Sequence, residues 1–210
     1  MIFKDRKDAA VKLSSRLSHY KDKEDVIVLA FPRRWVVTGF HISNSLNCPL
    51  DIIIIRKIGF PGNPELAIGA VSETGTVVLN EDIISSYRIS EEYIKSEIKR
   101  QQEIISKRKA LYRGGKGIPT LQGKTIILVD DSIATGATMK AAIEAIKNEN
   151  IARLIIAVPV SAPDSAEEIK EMVDEWVCLE TPHFFNAVGS FYEDFSEVSD
   201  REVIELLSKY

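Results

Sequence analysis

Hydrophobic residues gather in four short runs, at 26–31, 51–56, 124–129 and 152–158, each rich in valine and isoleucine. The runs are nearly continuous rather than alternating, which is the pattern of strands covered on both faces. Between them, apolar positions recur at helical spacing over 37–46, 137–148 and 163–175. The last segment opens with Pro163 and carries Asp164, Glu167 and Glu168 in its first turns, which suits a helix amino terminus. Strands alternating with helices predict an α/β fold: a mostly parallel central sheet with flanking helices.

One region breaks the alternation. From 59 to 123 the chain passes through GFPGNPE, two short strand-like stretches (66–71 and 75–79) and a helical pattern from 90 to about 110. Ser90 is placed as an N-cap ahead of Glu91 and Glu92, with Ile89 and Ile94 spaced as a hydrophobic staple. Ile94, Ile98 and Ile105 keep one face apolar, and LYRGGKGIP closes the segment as a loop. A segment of this length is an insertion rather than a connection. It is basic at Lys95, Lys99, Arg100, Lys107, Arg108, Lys109, Arg113 and Lys116, opposed by Glu97 and Glu103. Most of these cations fit a solvated helix face. Arg113 and Lys116, in the glycine loop, are the candidates to fold over a polyanion.

Composition narrows the class. At 210 residues, with 45% hydrophobic and 28% charged positions, the chain has material for one large domain spanning 1–210. A net charge of −4 argues against general nucleic-acid binding. Cys48 and Cys178 are too few and too far apart for a disulfide framework or a cysteine metal site, and read as reduced thiols of a cytoplasmic protein. The amino terminus is charged and amphipathic rather than a signal peptide, and the apolar runs are too short to cross a bilayer. No His, Cys and Asp grouping has metal-ligand spacing, so no protein metal site is expected.

The stretch ILVDDSIATGAT (127–138) concentrates the chemistry. Ligands of open parallel sheets bind beyond the carboxyl ends of strands, and Asp130 and Asp131 fall there. Ala134, Thr135, Gly136, Ala137 and Thr138 follow, just ahead of a helix. Consecutive amides at a helix start form an anion site, Gly136 permits close approach, and the threonine hydroxyls add hydrogen bonds. The paired carboxylates behind them suit the vicinal hydroxyls of a ribose. The stretch lacks GxxxxGK[ST] and GxGxxG, so it is neither a Walker loop nor a dinucleotide fingerprint. It predicts a site for a sugar 5-phosphate.

Four apolar residues, two acids and a T-G-x-T turn resemble the phosphoribosyl-pyrophosphate (PRPP) signature of the type I phosphoribosyltransferases. The resemblance extends to a bacterial and archaeal "predicted phosphoribosyltransferase" branch through RKIGFPGNPELAIGAV (56–71), VLNED (78–82), YRGG (112–115), VPVSAPD (158–164), VCLETP (177–182) and AVGSFYEDFSEVSDREV (187–203). It implies transfer of the 5-phosphoribosyl group from PRPP to a nitrogen nucleophile, a nucleobase above all, with release of pyrophosphate. The alternative is a regulatory protein that binds PRPP or a nucleotide without turnover.

The resemblance also implies roles. Ala134–Thr138 would grip the 5-phosphate, with Asp130 and Asp131 on the ribose hydroxyls. The pyrophosphate loop falls at FPRRWVVTG (31–39), where the branch usually reads P-R-G-G; this chain has Arg33, then Arg34 and Trp35 in place of the two glycines. Such loops carry a strained peptide bond, and Trp35 is bulky enough to fill the ligand's place. Arg56 and Lys57 follow the second run where a cation meets pyrophosphate, and Arg113 resembles a flexible-loop cation that closes over it. Mg²⁺ would enter with PRPP. Ala134 stands where purine enzymes carry an acid, which argues against a standard hypoxanthine-guanine enzyme. A small hood at about 181–200 would hold the acceptor, with Phe184, Phe185, Phe191, Tyr192 and Phe195 as stacking candidates and His183 as a polar reader. A homodimer is usual in the superfamily.

Overall fold

The structure, a computed structural model, describes residues 2–185 and 187–209, and only the backbone of Pro64 and Glu65. Met1 and Tyr210, at the limits of the expected domain, and Asn186, within the expected hood, lie outside the described residues. Five strands, β1 (Val26–Ala30), β2 (Leu50–Ile52), β6 (Thr125–Val129), β7 (Arg153–Val160) and β8 (Glu175–Glu180), form an all-parallel sheet in the order β2-β1-β6-β7-β8. The expected parallel core is therefore present.

The near-continuous apolar runs are explained by two cores, one on each face. In β1, Val26, Val28 and Ala30 point to one side, where they pack with Leu13 of α1 (Arg6–Arg16) and Val36 and Ile42 of α2 (Trp35–Leu46). Ile27 and Leu29 point to the other, against Met139, Ile143 and Ile146 of α5 (Ala137–Lys147) and Ile169 of α6 (Pro163–Lys170). Strand β6 divides likewise, Ile127 and Val129 to the first core and Ile126 and Leu128 to the second. Because successive side chains face opposite ways, a strand covered twice has no position for a polar residue.

The run at 51–56 is not one strand. Its start ends β2 at Ile52, and its end opens β3 (Ile55–Phe60), which turns away to pair antiparallel with β4 (Asn63–Ser72). With β5 (Val77–Leu79) these make a separate three-stranded sheet. The insertion thus begins inside the second run, and an apolar stretch cannot show where its hydrogen-bonding partner changes. Ile58 and Ile68 of this sheet share a satellite core with Ile94, Ile89 and Ile98. Helix α3 (Glu81–Tyr87) precedes α4 (Glu91–Arg113), whose N-cap Ser90 accepts from the Tyr93 amide, as expected. Further along α4, Ile105 and Tyr112 reach the main core, so the helix bridges the satellite sheet and the central one. The 163–175 pattern ends early, at Lys170, because Glu175 already belongs to β8. Helix α7 (Asp200–Leu207) closes the chain. Among the described residues no helix is long and apolar enough to cross a membrane.

Candidate active site

The acid pair follows β6 at the carboxyl edge of the parallel sheet, both members buried at 5% and 1% exposure. Asp131 is held on every side. Its Oδ2 lies 2.7 Å from Arg6 Nε, and its Oδ1 accepts from Thr38 Oγ1 at 2.8 Å. The Tyr192 hydroxyl donates to its carbonyl oxygen at 2.9 Å. Arg6 also donates to the Ser196 carbonyl at 2.8 Å and lies over the Phe195 ring, 4.1 Å from its centroid. The two helices of one face therefore converge on the Asp131 carboxylate, and the carboxyl-terminal segment holds its backbone carbonyl. Burial pushes the Asp131 pKa up against the opposing pull of Arg6.

Both acids border the cavity on the hood side, and Asp130 alone of the two also borders the one at the glycine turn. Asp130 Oδ1 accepts the Ser132 amide at 3.1 Å, and burial, then the Asp131 charge, push its pKa well above the usual carboxylate range.

The turn itself is pinned from behind. Ile133 N–H donates to Val160 O at 3.0 Å, and Ser165 Oγ donates to Ala134 O at 2.6 Å. Gly136 sits at φ +70° as the N-cap of α5, and no side chain caps that helix. The first-turn amides of α5 have no acceptor within the helix, and they border a cavity of about 170 Å³ formed by Ala134–Thr138, Ser132, Trp35 and Asp130. A fixed, uncapped helix start beside a carboxylate suits a phosphate monoester on a polyol.

Trp35 stands at the junction. It starts α2, packs edge-on against Phe31 with centroids 4.4 Å apart, and borders three cavities. One of these is the small cavity by Gly136; another, of about 370 Å³, is walled by Arg33, Arg34, Asp130, Val188 and Phe195. The third, of about 410 Å³, lies toward the insertion and is walled by Arg56, Lys57, Arg100, Arg108 and Thr138. The structure thus brings Asp130, Asp131, the 134–138 turn, Arg33, Arg34, Arg56 and Lys57 to one cleft. The Pro32–Arg33 peptide bond within it is cis.

Arg113 is not with them. It is the last residue of α4 rather than part of a mobile loop, and its guanidinium is 9% exposed. Its Nη groups donate to both oxygens of Glu73 at 2.6 and 2.7 Å and to Ile52 O at 2.8 Å, while Nε lies 3.0 Å from Asp51 Oδ1. The expectation of a closing cation is corrected: this arginine ties α4 to β2 and to the turn after β4. The basic arm instead reaches the cleft through Arg100 and Arg108.

The aromatic cluster is also divided. Tyr192 is buried against Phe3, Phe185 stacks on Phe191, and Phe184 is 86% exposed. Of the five rings, Phe195 alone borders a described cleft cavity. His183 is exposed and borders none of them. The contacts of Arg6 and Thr38 with Asp131 carried no signal in the sequence: Arg6 belongs to no motif, Thr38 lies in the 31–39 segment without a role read for it, and their common partner is distant in the chain.

A parallel sheet with an acid pair and a glycine turn at the end of its central strand, and an antiparallel insertion facing that edge, defines the type I phosphoribosyltransferase class. The model of the phosphoribosyl transferase domain matches residues 2–196, and the chain belongs to that family. The Mycobacterium tuberculosis (strain H37Rv) protein Rv0571c, whose name gives it as an inferred phosphoribosyl transferase, is 37% identical over 208 residues, covering 99% of this chain and 47% of that one. The chain therefore spans about half the length of the curated relatives it matches. The crystal structure of TT1426 from Thermus thermophilus superposes with a TM-score of 0.87 at 38% identity, covering 100% of this chain and 99% of that one. A purine phosphoribosyltransferase from Pyrococcus horikoshii shares the fold, with a TM-score of 0.50 at 17% identity over 92% of each chain.

Proposed function

We propose that this chain is a cytoplasmic phosphoribosyltransferase that takes PRPP as its magnesium complex and transfers the 5-phosphoribosyl group to a nitrogen nucleophile, a nucleobase. The 5-phosphate occupies the Ala134–Thr138 turn, and the ribose hydroxyls donate to Asp130, with Asp131 beside it. The diphosphate lies toward Arg33, Arg34, Arg56 and Lys57. The C1–O bond to diphosphate breaks as the C1–N bond forms, the electron pair leaves with pyrophosphate, and the proton of the attacking N–H passes to the departing pyrophosphate or to water. Positive charge develops on the ribose ring, where the acid pair opposes it, and the cations meet the charge on the leaving group. Positioning does the rest, without a covalent enzyme intermediate.

Magnesium enters here as part of the substrate. Among the described residues no three His, Cys, Asp or Glu side chains form a metal cage, and Glu97, the acid of the cleft's insertion side, is taken by Arg100 and Gln101. Such a donor set suits a cation held by diphosphate oxygens and water.

The observation that carries this function is the uncapped start of α5 at Gly136, adjoining Asp130 in one small cavity. Its test is a calorimetric titration with PRPP and with ribose 5-phosphate, followed by pyrophosphate release across a panel of nucleobases. Saturable binding of both and release with at least one base are expected; no heat at millimolar ligand sinks the proposal.

Trp35 favours a second function, a PRPP- or nucleotide-binding regulatory protein without turnover. Its ring borders all three cavities, and its bulk where the branch usually has glycine would crowd a diphosphate there. Tight PRPP binding with no pyrophosphate released for any acceptor decides for that function.

A further inference from the structure

The cavity of about 410 Å³ has an outer wall made by α4, and that wall is organised. Glu97 is 7% exposed and Gln101 is 2% exposed, both unusual for polar residues of a basic helix. Arg100 grips Glu97 with two nitrogens, Nε at 2.7 Å and Nη2 at 2.6 Å. Gln101 Nε2 donates to Glu97 Oε1 at 2.7 Å. That bond fixes the carboxamide, since its nitrogen is committed and its oxygen is the atom left to turn toward β3. There it accepts from Arg56 Nε at 2.9 Å.

The result is a chain of hydrogen bonds, Arg100–Glu97–Gln101–Arg56, running from the surface of α4 to the cleft. Its chemistry has a direction. Arg100 neutralises the Glu97 carboxylate, so that carboxylate does not repel an incoming anion. Gln101 orients Arg56 with a neutral oxygen, which holds the guanidinium without cancelling its charge. Arg108 lies farther along α4, borders both this cavity and the one containing Asp130, and makes no ion pair among the described residues. Burial, then the nearby charges of Arg108 and Arg100, lower the Arg56 pKa, which places the three guanidinium groups within each other's fields. Like charges gathered at one cavity repel unless an anion lies between them.

We propose that α4 is a built wall of the diphosphate site, with Arg108 as a contact to the diphosphate and Gln101 as the positioning residue that aims Arg56 at it. The proposal rests on the PRPP function above. It assigns to a rigid helix of the insertion the closing charge that the sequence pointed to in Arg113, and it makes that half of the site ready before ligand arrives.

The experiment is calorimetric titration of the full chain with magnesium pyrophosphate, beside the KM and kcat for PRPP. Arg108→Ala removes one charge-assisted contact and is expected to weaken pyrophosphate about tenfold or more. Gln101→Glu keeps an acceptor oxygen for Arg56 but adds a negative charge beside it. It is expected to weaken pyrophosphate by a similar factor, with the loss in KM for PRPP rather than in kcat, and to lower the melting temperature because a second carboxylate then faces Glu97 Oε1. Gln101→Met leaves Arg56 unheld and weakens pyrophosphate as well. If Gln101→Met does not fold, Gln101→Glu carries the test alone. A purely structural role for Gln101 predicts that Gln101→Glu binds pyrophosphate like the wild type, and that result overturns the proposal, as does an unchanged affinity in Arg108→Ala. Ribose 5-phosphate, which lacks the diphosphate, is the control and must bind all variants alike. Loss of its binding with pyrophosphate binding intact counts against the pentose site at Asp130 and leaves this wall standing.

Discussion

Replacing Arg6 is the most demanding test of how the site is held. Arg6 lies on α1, outside the cleft, yet its guanidinium touches Asp131 Oδ2 at 2.7 Å, with side-chain exposures of 6% and 1%. Arg6→Met keeps much of the aliphatic bulk but leaves Asp131 buried without its counter-charge, together with the Ser196 carbonyl that Arg6 also serves. Removing one partner of a buried pair costs about 3–5 kcal/mol, because the surviving charge has no solvent. For a chain of this size each kcal/mol lowers Tm by about 2–4 °C, which gives a loss of about 6–20 °C. Thermal and urea unfolding of Arg6→Met, Asp131→Asn and the double variant supply the cycle. The double variant lacks the stranded charge, so it is expected to be more stable than the sum of the singles by about 2 kcal/mol. The variant also has a pH signature: without Arg6 the Asp131 pKa rises further, so ribose 5-phosphate affinity falls more at pH 6 than at pH 8. A cost below about 1 kcal/mol, or strict additivity, refutes the idea that Arg6 sustains the Asp131 charge.

Three further outcomes are expected. Gly136→Ala puts a Cβ 3.2 Å from Ile169 Cδ1 at φ +70°, a strained position, and is expected to cost about 1–2 kcal/mol in urea unfolding and to abolish the calorimetric signal with ribose 5-phosphate. Asp130 has a folded pKa above its unfolded value near 3.8, so its contribution to stability is fully present below that value and lost as pH rises through the folded pKa. Asp130→Asn is therefore expected to melt above the wild type at pH 7, with the advantage vanishing toward pH 3.5 in a melt series, while PRPP binding is lost. Arg113→Ala strands Glu73, whose side chain is 1% exposed, and is expected to cost about 3–5 kcal/mol. Arg113→Lys restores charge but not the two-pronged grip, and recovers part of that loss in the same unfolding assay.

The sequence determined by itself whatever rests on local order. Continuous Val and Ile runs announced strands covered twice, and Ser90 announced the start of α4, because side-chain alternation and helix capping are decided within a few residues. Asp130 and the turn at Gly136 were legible for the same reason, since strand end, carboxylate, turn and helix start lie within one short stretch. Partnership was different. The apolar run at 51–56 gave no sign that Ile52 and Ile55 belong to different sheets, since both environments select the same side chains. Arg108 and Arg113 share one basic helix and the same composition. Folding sends one to the cleft and locks the other to Asp51 and Glu73. Arg6, Thr38 and Tyr192 reach Asp131 from three separate segments. Charge and hydrogen bonding act over a few ångströms of space whatever the distance along the chain, so only the packed molecule selects which acid is gripped by Arg6 and Thr38.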